Sequence, residues 1–449
     1  MTRLKFIDNI SGLQAVQLLR FVTFLIISIV FTKSHLTRAQ IGTWELFLFI
    51  SSLLSFFWVS GIIQSLLTLY NRNKTFRKAG DKVAGTKSPE IFNAFLLILF
   101  FSILVFLIVL PIKNSLPGTD MNRDIPYPNL LLLYILVSNP VTIIEYIYLL
   151  NNRAYRILQY GIYTYAVQLL FVLAPVVAGF DEKSAIYGLF AITAIRWVWL
   201  LILLRRYTEL KISVDFIREQ LRIGMPLILT FLISGSAQYV DGIIVSACYD
   251  DPGVFAMYRF GAKEFPLTLL LANGLSNALL PRFSTREGMR DALVTLRTRS
   301  QKLMDYLFPL SMATMLVARW VYPRLFTPEF ARSADVFMIY LLLIIPRLVF
   351  PQTIVIGRRK TNVTLVAAAI EIAINIPLSL ALIRPYGVVG VALATFIVYS
   401  LEKIFLIWYV WKKMKIRPAD YIPVIRWLIY SAVIVILFVL IDHRIIDIH

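Results

Sequence analysis

Of 449 residues, 59% are hydrophobic, only 16% are charged, and the formal net charge is +19. A soluble domain carries about 45–50% apolar and about 25% charged residues, so cytosolic enzymes, nucleic-acid readers and disulfide scaffolds are excluded. One cysteine, Cys248, and three histidines exclude an intrachain disulfide and leave little for a transition-metal site; no cofactor is expected.

The apolar residues fall in blocks long enough to cross a hydrocarbon core of about 30 Å. Thirteen helical spans are expected: 10–32, 41–70, 91–112, 129–151, 157–180, 184–204, 225–247, 253–281, 303–323, 333–357, 361–383, 387–411 and 424–441. No signal-peptide pattern precedes the first; the N-terminal ten residues, with Arg3 and Lys5, read as a short cytoplasmic lead. Lys and Arg alternate between the two sides. Loops on the side of the N-terminus collect 29 of them and loops on the other side 9. By the positive-inside rule the N-terminus is cytoplasmic and the C-terminus extracytoplasmic. That retention signal, rather than nucleic acid, accounts for most of the net charge. The outer loop from Lys113 to Pro128 is a connector rich in turn residues (Pro117, Gly118, Pro126). The segment 205–224 alternates Leu210, Ile212, Val214, Phe216, Ile217 and Leu221 with charged residues, and reads as an amphipathic helix on the cytoplasmic leaflet.

Internal symmetry divides the spans. Gly42 and Trp44 align with Gly253 and Phe255, Pro140 and Arg153 with Pro346 and Arg359, and Pro175, Gly188 and Thr193 with Pro377, Gly390 and Thr395. Two six-span halves of the same orientation follow, related by a pseudo-two-fold axis along the membrane normal. The expected architecture is all-α and polytopic: an N-terminal lobe 1–204, the connector 205–224, a C-terminal lobe 225–411, and a loop with an extra helix over 412–449, the lobes flanking a central cavity.

Charges inside the spans are expensive and should face protein or water. Seven basic residues (Arg20, Arg196, Arg259, Lys263, Arg319, Arg347, Lys403) lie there, and the carboxylates at membrane depth are Glu45, Glu145, Asp241, Glu264, Asp335, Glu371 and Glu402. Span 1 carries a polar strip, Gln14, Gln17 and Arg20; span 7 carries Ser234, Gln238 and Asp241; span 8 aligns Arg259, Lys263, Asn273 and Asn277 on one helical face, with Pro266 to bend it. Arg20 stands mid-span with no carboxylate near it in sequence. One continuous reading is a water-filled cavity lined by spans 1, 2, 7 and 8, whose Arg and Lys suit a phosphate-bearing cargo, so Arg20, Arg259, Lys263, Arg347, Gln17, Asn273 and Asn277 are the candidate cargo contacts. Asp241, Glu45, Glu145 and Glu371 are candidate ion, proton or salt-bridge positions, with Asp241–Arg259 equally readable as a structural pair. Arg319 and Lys403 read as snorkelling residues.

Several stretches taken in order resemble a known family: Leu36 to Trp44 leading into span 2; Gly224-Met-Pro226 opening span 7 and Asp241 within it; Gly253 to Arg259; Leu280 to Ser284; and Pro385 to Thr395. Together these resemble the polysaccharide exporters of the multidrug/oligosaccharidyl-lipid/polysaccharide (MOP) superfamily, in particular O-antigen and capsule flippases, over about residues 8 to 412. The resemblance implies two six-helix lobes in a V, with alternating access carrying an undecaprenyl-pyrophosphate-linked oligosaccharide from the inner to the outer leaflet of the cytoplasmic membrane. It implies that Arg20, Arg259, Lys263 and Arg347 engage pyrophosphate or acidic sugars. The implied partners are the lipid-linked glycan, membrane lipids, a coupling ion (H+ or Na+) and other polysaccharide-assembly proteins, with no nucleic acid. A drug/cation antiporter and a lipid II flippase are the alternatives within the superfamily. A membrane glycan polymerase is the enzymatic one, and it lacks the extramembrane domain or nucleotide-sugar motif such chemistry needs. No Gly-rich loop ending in Gly-Lys-Ser/Thr is present, so transport is not driven by the chain's own nucleotide hydrolysis.

Overall fold

A computed structural model describes residues 9–80, 89–115, 125–284, 286–358 and 360–443. The N-terminal lead with Arg3 and Lys5, the turn residues Pro117 and Gly118, and Arg359 lie outside them. The helices are α1 (Asn9–Thr32), α2 (Arg38–Leu53), α3 (Phe56–Gly80), α4 (Pro89–Ser115), α5 (Pro128–Ser138), α6 (Ile143–Leu150), α7 (Ala154–Val177), α8 (Glu182–Tyr207), α9 (Val214–Cys248) and α10 (Pro252–Gly261). They continue as α11 (Pro266–Leu279), α12 (Arg286–Phe326), α13 (Ser333–Leu342), α14 (Ile344–Arg347), α15 (Pro351–Gly357), α16 (Thr361–Tyr386), α17 (Val388–Met414), α18 (Pro418–Tyr421) and α19 (Val424–Asp442).

All thirteen apolar blocks are helical, but not all as single rods. Among the described residues, nine helices are long and apolar enough to cross a membrane, and eleven spans result if two bent pairs are each counted as one: α2 with α3, bent by 44°, and Ser333–Arg347 with α15, bent by 51°. The two blocks outside that count are the ones at 253–281, interrupted between α10 and α11, and 303–323, embedded in the 41-residue α12.

Local chemistry sets these boundaries. Thr37 and Gln40 form a capping box that starts α2. Asp181 caps α8 through the Ser184 amide, and Asp251 caps α10 through the Gly253 amide. Pro252, Pro266 and Pro351 occupy first-turn positions, where a missing N–H costs nothing. Gly179, at φ +95, closes α7 and lets the chain turn back into α8.

Two compact units result, residues 1–235 and 236–449. In the first, Trp58, Ile98, Ile143, Ile147, Ile157 and Leu200 form the buried centre. In the second, Phe283, Phe308, Met338, Leu348, Ile354 and Val410 do so. Since lipid is as apolar as these side chains, close packing and polar contacts hold such units together more than burial does. Gly188 is the clearest instance. A Cβ there would lie 2.2 Å from the Phe171 carbonyl oxygen, and one at Gly390, its aligned counterpart, 2.2 Å from that of Leu382. Each unit therefore has a helix pair, α7–α8 and α16–α17, pressed backbone to backbone at a glycine, with Pro175 or Pro377 inside the first member.

The connector differs from its expected form. After α8 ends at Tyr207 the chain is extended, and α9 begins at Val214, so residues 214–224 are the start of the span-7 helix. Asn93 fixes the extended piece: its amide donates to the Lys211 carbonyl (3.0 Å) and its carbonyl accepts from the Ser213 amide (3.0 Å).

Candidate functional site

Each unit encloses polar clusters, and most of the intramembrane charges belong to one of them rather than to isolated positions. In the first unit, Arg20 of α1 reaches α6 and α7. Its Nη2 donates to Glu145 Oε1 at 2.8 Å, and its Nε to the Tyr165 hydroxyl at 2.6 Å. Arg20 has no carboxylate neighbour in sequence; the fold supplies Glu145 from 125 residues away. The Tyr165 ring is flanked by two guanidiniums, Arg20 at 5.9 Å and Arg196 at 5.4 Å from its centroid, and Arg196 also donates to Gln168 at 2.8 Å. Two cations against one carboxylate leave this cluster net positive. Arg20 keeps 48% of its side chain exposed while Glu145 keeps 12%, so an enclosed carboxylate holds a half-exposed arginine. Gln17 is exposed on the same helix. Glu45 is buried elsewhere in the unit and accepts from Ser28 at 3.1 Å.

In the second unit Asp241 is only 4% exposed. Four neutral donors from four other helices converge on it: Tyr258 of α10 (2.9 Å), Tyr340 of α13 (3.2 Å), Asn375 of α16 (3.2 Å) and Thr395 of α17. Ser379 in turn donates to the Asn375 carbonyl at 2.6 Å, which orients that amide toward the carboxylate. The ion pair envisaged between Asp241 and Arg259 is not formed. Arg259 sits at the end of α10, partly buried, and hydroxyls and an amide serve the carboxylate instead. Nor do Ser234, Gln238 and Asp241 share an environment: the first two are exposed and the third is enclosed.

The single face drawn through Arg259, Lys263, Asn273 and Asn277 also fails. Helical hydrogen bonding stops at Gly261 and resumes at Pro266, which supplies no amide donor. Lys263 lies in the break, over the Phe260 ring at 5.7 Å, while Asn273 and Asn277 are exposed on the following helix. The register linking them is lost at the break.

Glu264, in the same break, forms a two-pronged ion pair with Arg347, whose Nε donates at 3.0 Å and whose Nη2 donates to the second carboxylate oxygen. Arg347 ends α14, beside the bend into α15. Its guanidinium lies 4.8 Å from the Tyr399 ring centroid, and Lys403 lies 4.6 Å from the same ring. Lys403 does not snorkel. It is 5% exposed, paired with Glu402 at 2.8 Å and donating to Gln352 at 3.1 Å. Glu371 of α16 is half-buried within electrostatic reach of Glu402, Lys403 and Arg347. Arg319 is likewise tied in, to Asp335 at 3.0 Å and Asp442 at 3.5 Å. The residues that spacing alone missed, Tyr165, Tyr258, Tyr340 and Tyr399, read as ordinary apolar-face tyrosines; the one clue was that each lies in a span also carrying a charge or an amide.

The family model of the lipid II flippase MurJ matches residues 137–446. The chain belongs to that family. Among solved structures, a lipid II flippase MurJ in an inward closed conformation aligns with TM-score 0.68 at 16% identity, covering 97% of this chain and 93% of the other. An inward-facing multidrug-resistance MATE transporter of the MOP superfamily aligns with TM-score 0.64 at 14% identity, over 88% of this chain and 93% of that one. A MOP-superfamily transporter from Pyrococcus furiosus, described as having a binding pocket of reversed polarity, aligns with TM-score 0.55 at 15% identity, over 90% and 93%. No curated protein sequence matches this one significantly. The superfamily expected from the sequence is the right one, and its members here are transporters, not enzymes. The family match points to the lipid II flippases, an alternative already open within that superfamily, rather than specifically to O-antigen and capsule exporters.

Proposed function

We propose that this protein moves a polyprenyl-pyrophosphate-linked glycan across the cytoplasmic membrane, and that lipid II, the cargo named for its family, is the first candidate. The observation carrying the reading is the family match over residues 137–446. The net-positive cluster around Arg20 supports it, because a half-exposed guanidinium held by a buried carboxylate is pre-positioned for a phosphate oxygen. Arg259 and Arg347 are the corresponding proposals in the second unit, Arg347 being paired with Glu264. An O-antigen or capsule repeat unit on the same lipid carrier is the second reading, favoured by the motif order from Leu36 to Thr395.

We place ion coupling at Asp241. A buried carboxylate served only by neutral donors lacks a compensating charge, and a proton or Na+ supplies one. Loading and unloading this one group would bias the helices that meet there.

The test is reconstitution in proteoliposomes with labelled lipid II in one set and a lipid-linked O-antigen-type repeat in another. Exposure of lumenal head groups to a membrane-impermeant enzyme is the readout. Protein-dependent exposure of lipid II, reduced at least tenfold in Arg20→Ala at unchanged protein level, supports the reading. Exposure of the second cargo alone moves the protein to the exporter reading, and exposure of neither, with a working control flippase, overturns both.

A further inference from the structure

One face of α8 bears a cleft that the transport reading does not use. Ile195, Val198, Trp199, Ile202, Leu203 and Arg206 line it, together with Tyr148 of α6, and it encloses about 430 Å³. The lining residues recur every three or four positions, so they form one stripe along the helix. At 1.5 Å per residue the stripe from Ile195 to Arg206 runs about 16 Å, the depth of one leaflet of a hydrocarbon core about 30 Å thick. The floor is rigid: Leu203 is buried, and Trp199 Nε1 donates to the Tyr148 hydroxyl at 2.9 Å. The rim is apolar and open, with Val198 61% and Ile202 59% exposed. On a membrane-spanning helix such a rim is solvated by hydrocarbon.

Arg206 distinguishes the cleft from a generic lipid-facing surface. It lies at one end of the stripe, in the last turn of α8. Among the described residues it has no carboxylate partner; its guanidinium rests 5.6 Å from the Tyr207 ring centroid. The charge count assigns this end of α8 to the cytoplasmic side, where anionic lipids attract basic residues near the surface. An apolar slot one leaflet deep, ending in an uncommitted guanidinium, matches one acyl chain joined to an anionic head group. We propose that this cleft is a binding site for an anionic phospholipid of the surrounding leaflet, with an acyl chain along Ile195, Val198 and Ile202 and the phosphate on Arg206. The cleft shares no residue with the Arg20 and Asp241 clusters, and the proposal stands whatever the cargo is.

The experiment is native mass spectrometry of the purified full chain released from micelles containing phosphatidylglycerol or phosphatidylcholine of identical acyl chains. Phosphatidylglycerol adducts should exceed phosphatidylcholine adducts about fivefold. Arg206→Gln should reduce the ratio to near one, Arg206→Lys should keep most of it, and Ile202→Trp, which fills the slot, should lower retention of both lipids. Equal retention of the two lipids by the native chain, or a phosphatidylglycerol preference unchanged in Arg206→Gln, overturns the proposal. Unchanged thermal unfolding midpoints in the variants show that the readout reports the site rather than folding. Glycan exposure in proteoliposomes tests the cargo separately.

Discussion

Glu264 and Arg347 meet where two helices lose their continuity. Glu264 occupies the gap between α10 and α11, and Arg347 ends α14 just before the chain bends by 51° into α15. A helix gap leaves amides and carbonyls without their usual partners, so membrane helices break only where neighbouring protein can serve those groups. The ion pair ties both breaks at one point and leaves both side chains about a quarter exposed or less.

Removing one partner of this pair should therefore cost more than removing a surface charge. Glu264→Gln or Arg347→Ala is expected to destabilise the protein by about 3 kcal/mol, the range for a buried pair left with one partner. The exchanged double variant, Glu264→Arg with Arg347→Glu, should recover part of the loss. Thermal unfolding in detergent, run as a double-mutant cycle, checks this; additive single losses would show that the pair does not couple the breaks.

Tyr165 holds Arg20 in two separable ways, through its hydroxyl and through its ring. Tyr165→Phe keeps the ring between Arg20 and Arg196 and loses an acceptor to a charged donor, an interaction of about 1.5–3 kcal/mol. Tyr165→Leu loses both. Glycan exposure in proteoliposomes should fall in the order native, Phe, Leu at comparable protein level, and equal activity of all three would remove Tyr165 from the positioning of Arg20.

Asp241→Asn retains the size of the side chain and removes its charge. The variant should fold, since hydroxyls can accept from an amide as readily as they donate to a carboxylate. If ion coupling resides at Asp241, its transport should no longer respond to an imposed Na+ or proton gradient. A gradient response equal to that of the native chain would place the coupling elsewhere.

The glycines make opposite predictions. Gly188→Ala and Gly390→Ala each place a Cβ 2.2 Å from a backbone carbonyl oxygen, and the helix pairs must separate, at a cost of about 1–3 kcal/mol as for other overpacked sites. Gly274 has nothing within 4 Å of the added carbon, so Gly274→Ala should be neutral or stabilising by up to about 1 kcal/mol through helix propensity. Unfolding midpoints of the three variants, measured side by side, test the contrast.

The sequence made the α-helical, membrane-spanning class legible because hydrophobic blocks of the right length have no other stable form. It also exposed the glycine and proline correspondences, because close helix crossing admits few residue types. Pairing was not legible. Arg20 and Glu145 are 125 positions apart, and nothing local distinguishes a carboxylate that will meet an arginine from one, such as Asp241, that will meet four neutral donors. The helical face in span 8 misled because periodicity assumes an unbroken helix, and Pro266 was read as a bend when it marks the restart after a gap. Lys403 was misread for a related reason: its place beside Glu402 in sequence says nothing of Gln352 and Tyr399, which enclose it.

The two clasps on α19 bear on how the protein is made. Asp305 of α12 receives Arg426 at 2.7 Å and the Tyr430 hydroxyl at 3.1 Å, and Arg319 of the same helix reaches the Ile441 carbonyl at 2.6 Å. Both groups are in place more than a hundred residues before their partners leave the ribosome. Until α19 arrives, α12 carries a partly exposed carboxylate without these two donors and an arginine held by Asp335 alone. α19 therefore closes this part of the second unit late, satisfying polar groups that α12 presents long before their partners are made.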